Sequence, residues 1–192
     1  IISLKNFMKI NMGCGQNKIN GYLNIDKHSE CEPDLQFDLE KFPWPFKTNE
    51  VNEVLFNHSL EHIGADTNIF LNIMKELYRV CNNDAKIQIN VPHPRHDNYI
   101  NDPTHVRIIT PQTFELFSKQ NNILWEEINA SNSPLAKYLD IDFETIEINQ
   151  VLEPEYIEKL NNKELTQREI EKYIKELNNI VSEYRITLRV VK

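Results

Sequence analysis

The chain has 192 residues, 40% hydrophobic and 26% charged, which is enough apolar material for the core of one globular domain. Its net charge of -8, with no basic run, excludes the footprint of a general nucleic-acid binder and favours a small-molecule partner. Cys14, Cys31 and Cys81 show no C-x-x-C spacing, and no stretch approaches the roughly 20 apolar residues of a membrane span, so a disulfide framework, a structural zinc site and a transmembrane helix are not expected, and a reducing cytoplasm is.

Residues 1–7 precede the first strand-like run and are expected to be an N-terminal extension outside a domain spanning 8–192. Met8 to Met12 then reads as a short apolar strand ending in Gly13-Cys14-Gly15. Tyr22 to Ile25 reads as a second strand ending in Asp26, after a connection of only about ten residues. Phe42-Pro43-Trp44-Pro45-Phe46 predicts a rigid loop with aromatic anchors, because each proline removes a backbone donor. Glu53 to Asn57 reads as a buried strand.

Between Asp66 and Val80 the residues Ile69, Phe70, Ile73, Met74, Leu77 and Val80 recur at helical spacing, with Asp66 or Thr67 placed to cap the start. A turn at Asn82 to Asp84 and an alternating strand Ala85 to Val91 follow. Pro92 to His105 is irregular and histidine-rich, and Thr110-Pro111 starts a helix running to about Gln120. The last third predicts a strand over Thr145 to Val151, a polar helix from Pro154 or Thr166 to Ile180 that lies over the sheet, and a terminal strand Tyr184 to Val191.

A glycine-bearing turn after a first strand and an acidic residue ending a second suit an adenosine-containing cofactor. Glycine lets backbone approach the ligand, and a carboxylate accepts hydrogen bonds from two ribose hydroxyls. Gly13, Gly15 and Asp26 supply these parts, although a tight structural turn would use the same glycines. Phe37-Asp38-Leu39 offers a carboxylate for an exocyclic amine with apolar neighbours for a ring, and Asn57 to Ile63 follows a strand at the carboxyl edge where open α/β sheets bind ligands.

With its Gly-Cys-Gly, Gly-Tyr-x-Asn-x-Asp, Pro-Trp-Pro-Phe and Leu-Glu-His-Ile elements, the chain resembles a short subgroup of the class I S-adenosylmethionine-dependent methyltransferases over residues 8 to about 117. The resemblance implies a Rossmann-like, doubly wound, mostly parallel sheet with helices on both faces and a C-terminal antiparallel strand. It also implies S-adenosyl-L-methionine as cofactor and methyl transfer to an unidentified acceptor. Gly13, Cys14 and Gly15 would lie against the methionine portion, Asp26 would hold the ribose, Asp38 and Leu39 would contact adenine, and Asn57 and His58 would line the methionine side. Asn11 stands where many family members carry an acid, and Asn17 where a longer loop has its third glycine. Asn11 can still bind a cofactor ammonium through its carbonyl oxygen, without the charge.

The stretch from His93 to Arg107 follows the strand expected to border the acceptor. His105 is the candidate general base and Asp102 its orienting partner, with His62, His93, His96 and Arg107 on the acceptor side. For His62 a buried, backbone-satisfied role is an equal alternative, and Cys14 is read as a packing residue. No metal site is assigned, since no helical pair spacing supports one. Two other functions share the strand-turn-strand logic. A non-catalytic cofactor-binding module would bind without turnover, and a nicotinamide-dependent oxidoreductase would need a Gly-x-Gly-x-x-Gly turn, which Gly15-Gln16-Asn17-Lys18-Ile19-Asn20 lacks.

Overall fold

A computed structural model describes residues 7–192, so that residues 1–6 of the expected extension lie outside it. Seven strands form one sheet: β1 (Met8–Met12), β2 (Leu23–Asp26), β3 (Leu35–Gln36), β4 (Val51–Asn57), β5 (Cys81–Pro92), β6 (Phe143–Leu152) and β7 (Val181–Val190). Their order is β3-β2-β1-β4-β5-β7-β6, parallel from β3 through β5, with β7 antiparallel to both β5 and β6. The expected mostly parallel α/β sheet with a C-terminal antiparallel strand is present. The strand order reverses beside β1, which opens a crevice at the carboxyl ends of β1 and β4.

Cross-strand register divides the sheet into two unlike faces. One row runs Ile10, Val54, Ile87, Leu188 and the next Met12, Phe56, Ile89, Ile186, and all of these residues are buried. The alternate rows carry Lys9, Glu53, Lys86 and Arg189 before the first of these, and Asn11, Leu55, Gln88 and Thr187 between them. Parallel sheets are normally covered on both sides, whereas here the second face is covered at Asn11 and Leu55 and open to solvent at Lys86, Gln88, Thr187 and Arg189 toward β5 and β7. The expected helices on both faces are therefore corrected: the ten residues 13–22 between β1 and β2 form turns and no helix, and the link from β2 to β3 holds a single 3-10 turn.

Helix α1 (Thr67–Val80) covers the apolar face with Phe70, Ile73, Met74, Leu77 and Val80, all buried. Its start is fixed by Asp66, whose carboxylate accepts from the backbone N–H groups of Asn68 and Ile69. At its far end Glu76 accepts from Trp44 N at 2.6 Å, and Arg79 donates to the carbonyls of Trp44 and Phe46. The proline-bounded loop is thus clamped to the helix, with Trp44 and Phe46 buried as its anchors.

The four-residue helix α2 (Asp97–Ile100) lies in the histidine-rich stretch. Beyond it, the single helix expected from Thr110 to Gln120 is two, α3 (Pro111–Glu115) and α4 (Lys119–Glu127), because Ser118 caps a new start by accepting from Asn121 N. Helix α5 (Leu135–Leu139) follows, and Phe117 and Phe143 join this group to α1 through Phe70 and Tyr78. The β6–β7 crossover also holds two helices, α6 (Pro154–Asn161) and α7 (Gln167–Glu176). Instead of lying over the sheet, the end of this crossover is tied to the loop after β5. Asn179 donates to Arg95 O and accepts from Asp97 N, and Arg95 donates to Lys175 O.

The expected turn at Asn82 to Asp84 is absorbed into β5, where a register shift lies opposite Val51 and Glu53 and Asp84 takes a φ of 61°. No helix among the described residues is long and apolar enough to cross a membrane.

Candidate cofactor and acceptor site

The end of β1 is bound to its neighbours on both sides. Cys14 N donates to Ile25 O at 2.9 Å, and Ser59 Oγ donates to Met12 O at 2.7 Å. Gly13 turns the chain between them at φ 67°, a conformation a side chain rarely adopts. Gly15 N and His28 N then donate to the two oxygens of Asp26, each at 2.9 Å. Asp26 therefore holds the glycine turn against the segment after β2, and each oxygen keeps lone-pair capacity for a further donor.

These groups floor a cavity of about 380 Å³. Phe37, Asp38 and Leu39 form one wall, and His58, Ser59, His62 and Thr104 form the other. The size falls in the range of small-molecule sites. Asp38 is held by accepting from Glu40 N at 3.0 Å, and Leu39 by accepting at its carbonyl from Trp44 Nε1 at 3.0 Å. The Pro-Trp-Pro-Phe loop thereby supports the wall without reaching the cavity itself.

Of the cofactor candidates, Gly13, Gly15, Asp26, Asp38, Leu39 and His58 line the cavity. Asn11, Cys14 and Asn57 do not. Asn11 is buried with its amide donating to Asn17 O and Asn24 Oδ1, which ties β1 to β2. Asn57 accepts from Asn90 on the polar face, and Cys14 is packed inside the turn, its thiol pushed up by burial and by Asp26. Lys27, His28, Ser59 and Thr104 line the cavity without having been expected there. Ser59 had a signal, because a serine just beyond the β4 carboxyl end must face the crevice; the others sit on loops without periodicity.

The acceptor candidates separate more sharply. His62 reaches the cavity, whereas His93, His96 and Arg107 serve the scaffold. His93 is buried against Tyr184, and burial followed by the charge of Arg95 pulls its pKa down to about 4. His96 caps α2 and faces Glu153 at 3.1 Å. Arg107 donates to Gly64 O and stacks over the Phe70 ring.

His105 stands behind His62, with ring centroids 4.6 Å apart, and is stacked on Tyr99. Asp102 is 3.7 Å from His105, beyond hydrogen-bond range, and instead accepts from Thr104 Oγ1 at 2.5 Å. Thr104 Oγ1 in turn lies 2.9 Å from His62 Nδ1. The group that Asp102 orients is therefore His62, through Thr104.

Glu61 sits between these rings. It is 1% exposed, and neither carboxylate oxygen has a hydrogen-bond partner among the described residues. Burial, with the negative charge of Asp102 adding to it, pushes its pKa up to about 7. Oε1 lies 4.0 Å from His62 Nε2, 3.9 Å from His105 Nε2 and 3.8 Å from His58 Nδ1. A metal site is not expected from the sequence, which shows no histidine pair at helical spacing within a predicted helix. Here the chain joins one carboxylate and two imidazoles from two separate loops, within 4.8 Å of one another.

No family model and no curated protein sequence matches the chain. Among solved structures it is similar to a SAM-dependent methyltransferase from Archaeoglobus fulgidus, at a TM-score of 0.61 and 16% identity, covering 96% of this chain and 87% of that one. The YcgJ protein from Bacillus subtilis gives 0.55 and 10%, covering 98% and 93%. An S-adenosylmethionine-dependent methyltransferase from Mesorhizobium loti gives 0.51 and 11%, also covering 98% and 93%. At these identities the likeness is one of fold: the chain has the Rossmann-like α/β architecture found in methyltransferases.

Proposed function

We propose that the chain is an S-adenosylmethionine-dependent methyltransferase acting on a small acceptor. The observation that carries this reading is the cavity at the strand-order reversal, which brings the Gly13 to Gly15 turn, the Asp26 carboxylate and the Asp38-Leu39 wall around one space. The fold similarity to methyltransferases supports it without identifying the acceptor.

In this reading Asp26 would accept from the ribose hydroxyls, while the Asp38 carboxylate would take the adenine amine with Phe37 and Leu39 flanking the ring. Bound there, the cofactor would supply an electrophilic methyl group on a positive sulfonium, whose C–S bond would break to leave a neutral thioether as the acceptor takes the methyl. The protein's task is then alignment and, for a protonated acceptor, removal of one proton. His62 would take that proton in this reading, supported by its position on the cavity wall and its hold by the Asp102–Thr104 pair. Burial and the neighbouring His105 pull its pKa down, which keeps it neutral and able to accept. His105 and Asp102 contribute as positioning residues behind it.

Calorimetric titration with S-adenosylmethionine, S-adenosylhomocysteine and NAD is the direct test. Micromolar or tighter binding of the first two, about -8 kcal/mol, is expected. Binding of NAD with neither of the others would overturn the reading.

A further inference from the structure

Three acceptor atoms converge beside the cavity with no donor between them. His105 Nδ1 lies 2.9 Å from the Tyr99 carbonyl, which can only accept, so the ring proton is on Nδ1 and Nε2 presents a lone pair. His62 follows the same logic. Thr104 gives its hydroxyl proton to Asp102, so its oxygen accepts from His62 Nδ1–H, and the Nε2 of that ring is also a bare lone pair. Both Nε2 atoms point toward Glu61 Oε1, at 4.0 and 3.9 Å, too far for a hydrogen bond. The carboxylate they face is buried and unpartnered.

With Glu61 ionised and both rings neutral, lone pairs and a carboxylate crowded together in this way repel unless a cation lies among them. We propose that Glu61 Oε1, His62 Nε2 and His105 Nε2 bind a divalent first-row transition-metal ion. Two imidazoles with one carboxylate favour Zn2+, Co2+ or Mn2+ over Mg2+, which prefers an all-oxygen shell. Ligand bonds of about 2.0–2.2 Å set tetrahedral neighbours roughly 3.4 Å apart, so three atoms within 4.8 Å of one another would close on the ion by movements on the order of half an ångström each. The supporting contacts already match those of a metal site: a carbonyl fixes one histidine, and a threonine–aspartate pair fixes the other. Asp102 Oδ2, 3.7 Å from His105 Nε2, is the nearest further oxygen. Because His62 and Thr104 border the cavity, the remaining coordination position opens toward it and would take water or a ligand hydroxyl or carboxylate; with the ion bound, His62 Nε2 would be a ligand, and water on the ion would take the acceptor's proton in its place.

The test uses the full chain after dialysis against a chelator. Titration with Zn2+, Co2+ and Mg2+, each alone, is followed by calorimetry and by thermal unfolding. One equivalent of Zn2+ or Co2+ should bind, raising the melting temperature, with Mg2+ at least a hundredfold weaker. Glu61→Gln and His105→Gln should each weaken Zn2+ binding by a hundredfold or more, and His93→Phe should leave it unchanged. Circular dichroism establishes that the variants are folded. Absence of Zn2+ and Co2+ binding, or equal affinity in wild type and in Glu61→Gln, would overturn the site. S-adenosylmethionine binding by the metal-free protein is measured separately, so that a failure of the metal site and a failure of the methyl-transfer reading give different results.

Discussion

A β-carbon placed on Gly13 would stand 2.6 Å from the β-carbon of Ser59. That approach joins the ends of β1 and β4, since Ser59 Oγ already donates to Met12 O across the same gap. Gly13→Ala meets both this clash and a φ of 67°, and should destabilise the fold by about 2–4 kcal/mol. Gly15→Ala has no neighbour within 4 Å and carries only the cost of φ 48°, on the order of 1 kcal/mol. Urea unfolding of the two variants should rank them in that order, and the reverse ranking would remove Ser59 as the reason for the glycine.

Asp26→Ala should weaken S-adenosylmethionine binding by roughly ten- to a hundredfold, and Asp38→Ala by less than tenfold, since charge-assisted bonds to two hydroxyls exceed one to an amine. Asp26→Ala should also lower the melting temperature, because Gly15 N and His28 N lose their acceptor. Equal losses of affinity at the two positions would contradict the assignment of ribose and adenine.

Glu61 gives the metal-free protein a definite pH response. Its pKa rises from 4.5 unfolded to about 7 folded, so stability is lost as pH climbs through that window and the deficit is constant above it. In chelator, Glu61→Gln should therefore be the more stable protein at pH 8, by up to about 3 kcal/mol, and equal to wild type near pH 4. Thermal unfolding across pH 4 to 8 checks this, and a variant that is less stable at pH 8 would refute it.

His93 responds in the opposite direction. Its pKa falls from 6.5 unfolded to about 4 folded, so stability declines as pH drops between those values. His93→Phe keeps the ring packing on Tyr184 and removes the titration. The acid limb of its stability curve should be shallower by about 1.4 kcal/mol per pH unit. An unchanged slope would show that His93 takes its proton in the folded state.

Patterns that repeat were legible in the sequence. The apolar spacing of α1, the alternation of β5 and the order of the glycine turn, Asp26 and Asp38 all reappear, and the aromatic anchors of the proline loop are buried as their composition implies. What escaped depends on single contacts and short elements that leave no period in the sequence. The break between α3 and α4 turns on one serine cap, the two-residue strand β3 is too short to show a period, and His105 and Asp102 are separated by a threonine that satisfies the aspartate first. Glu61 had no sequence signal as a site residue, because its importance lies in the donors it lacks. The Asn11 amide nitrogen ties β1 to β2, a link that no sequence pattern shows.

The one-sided helix cover gives the strands an uneven tolerance to change. In a saturation substitution scan of β5, polar replacements at Ile87 and Ile89 should be lost, whereas Lys86, Gln88 and Asn90 should accept most side chains that suit an extended backbone. The same two-residue rhythm should cross β7 at Ile186 and Leu188 against Arg185, Thr187 and Arg189. A surface this permissive, backed by a rigid ladder, is a place where new residues can be introduced without rebuilding the interior.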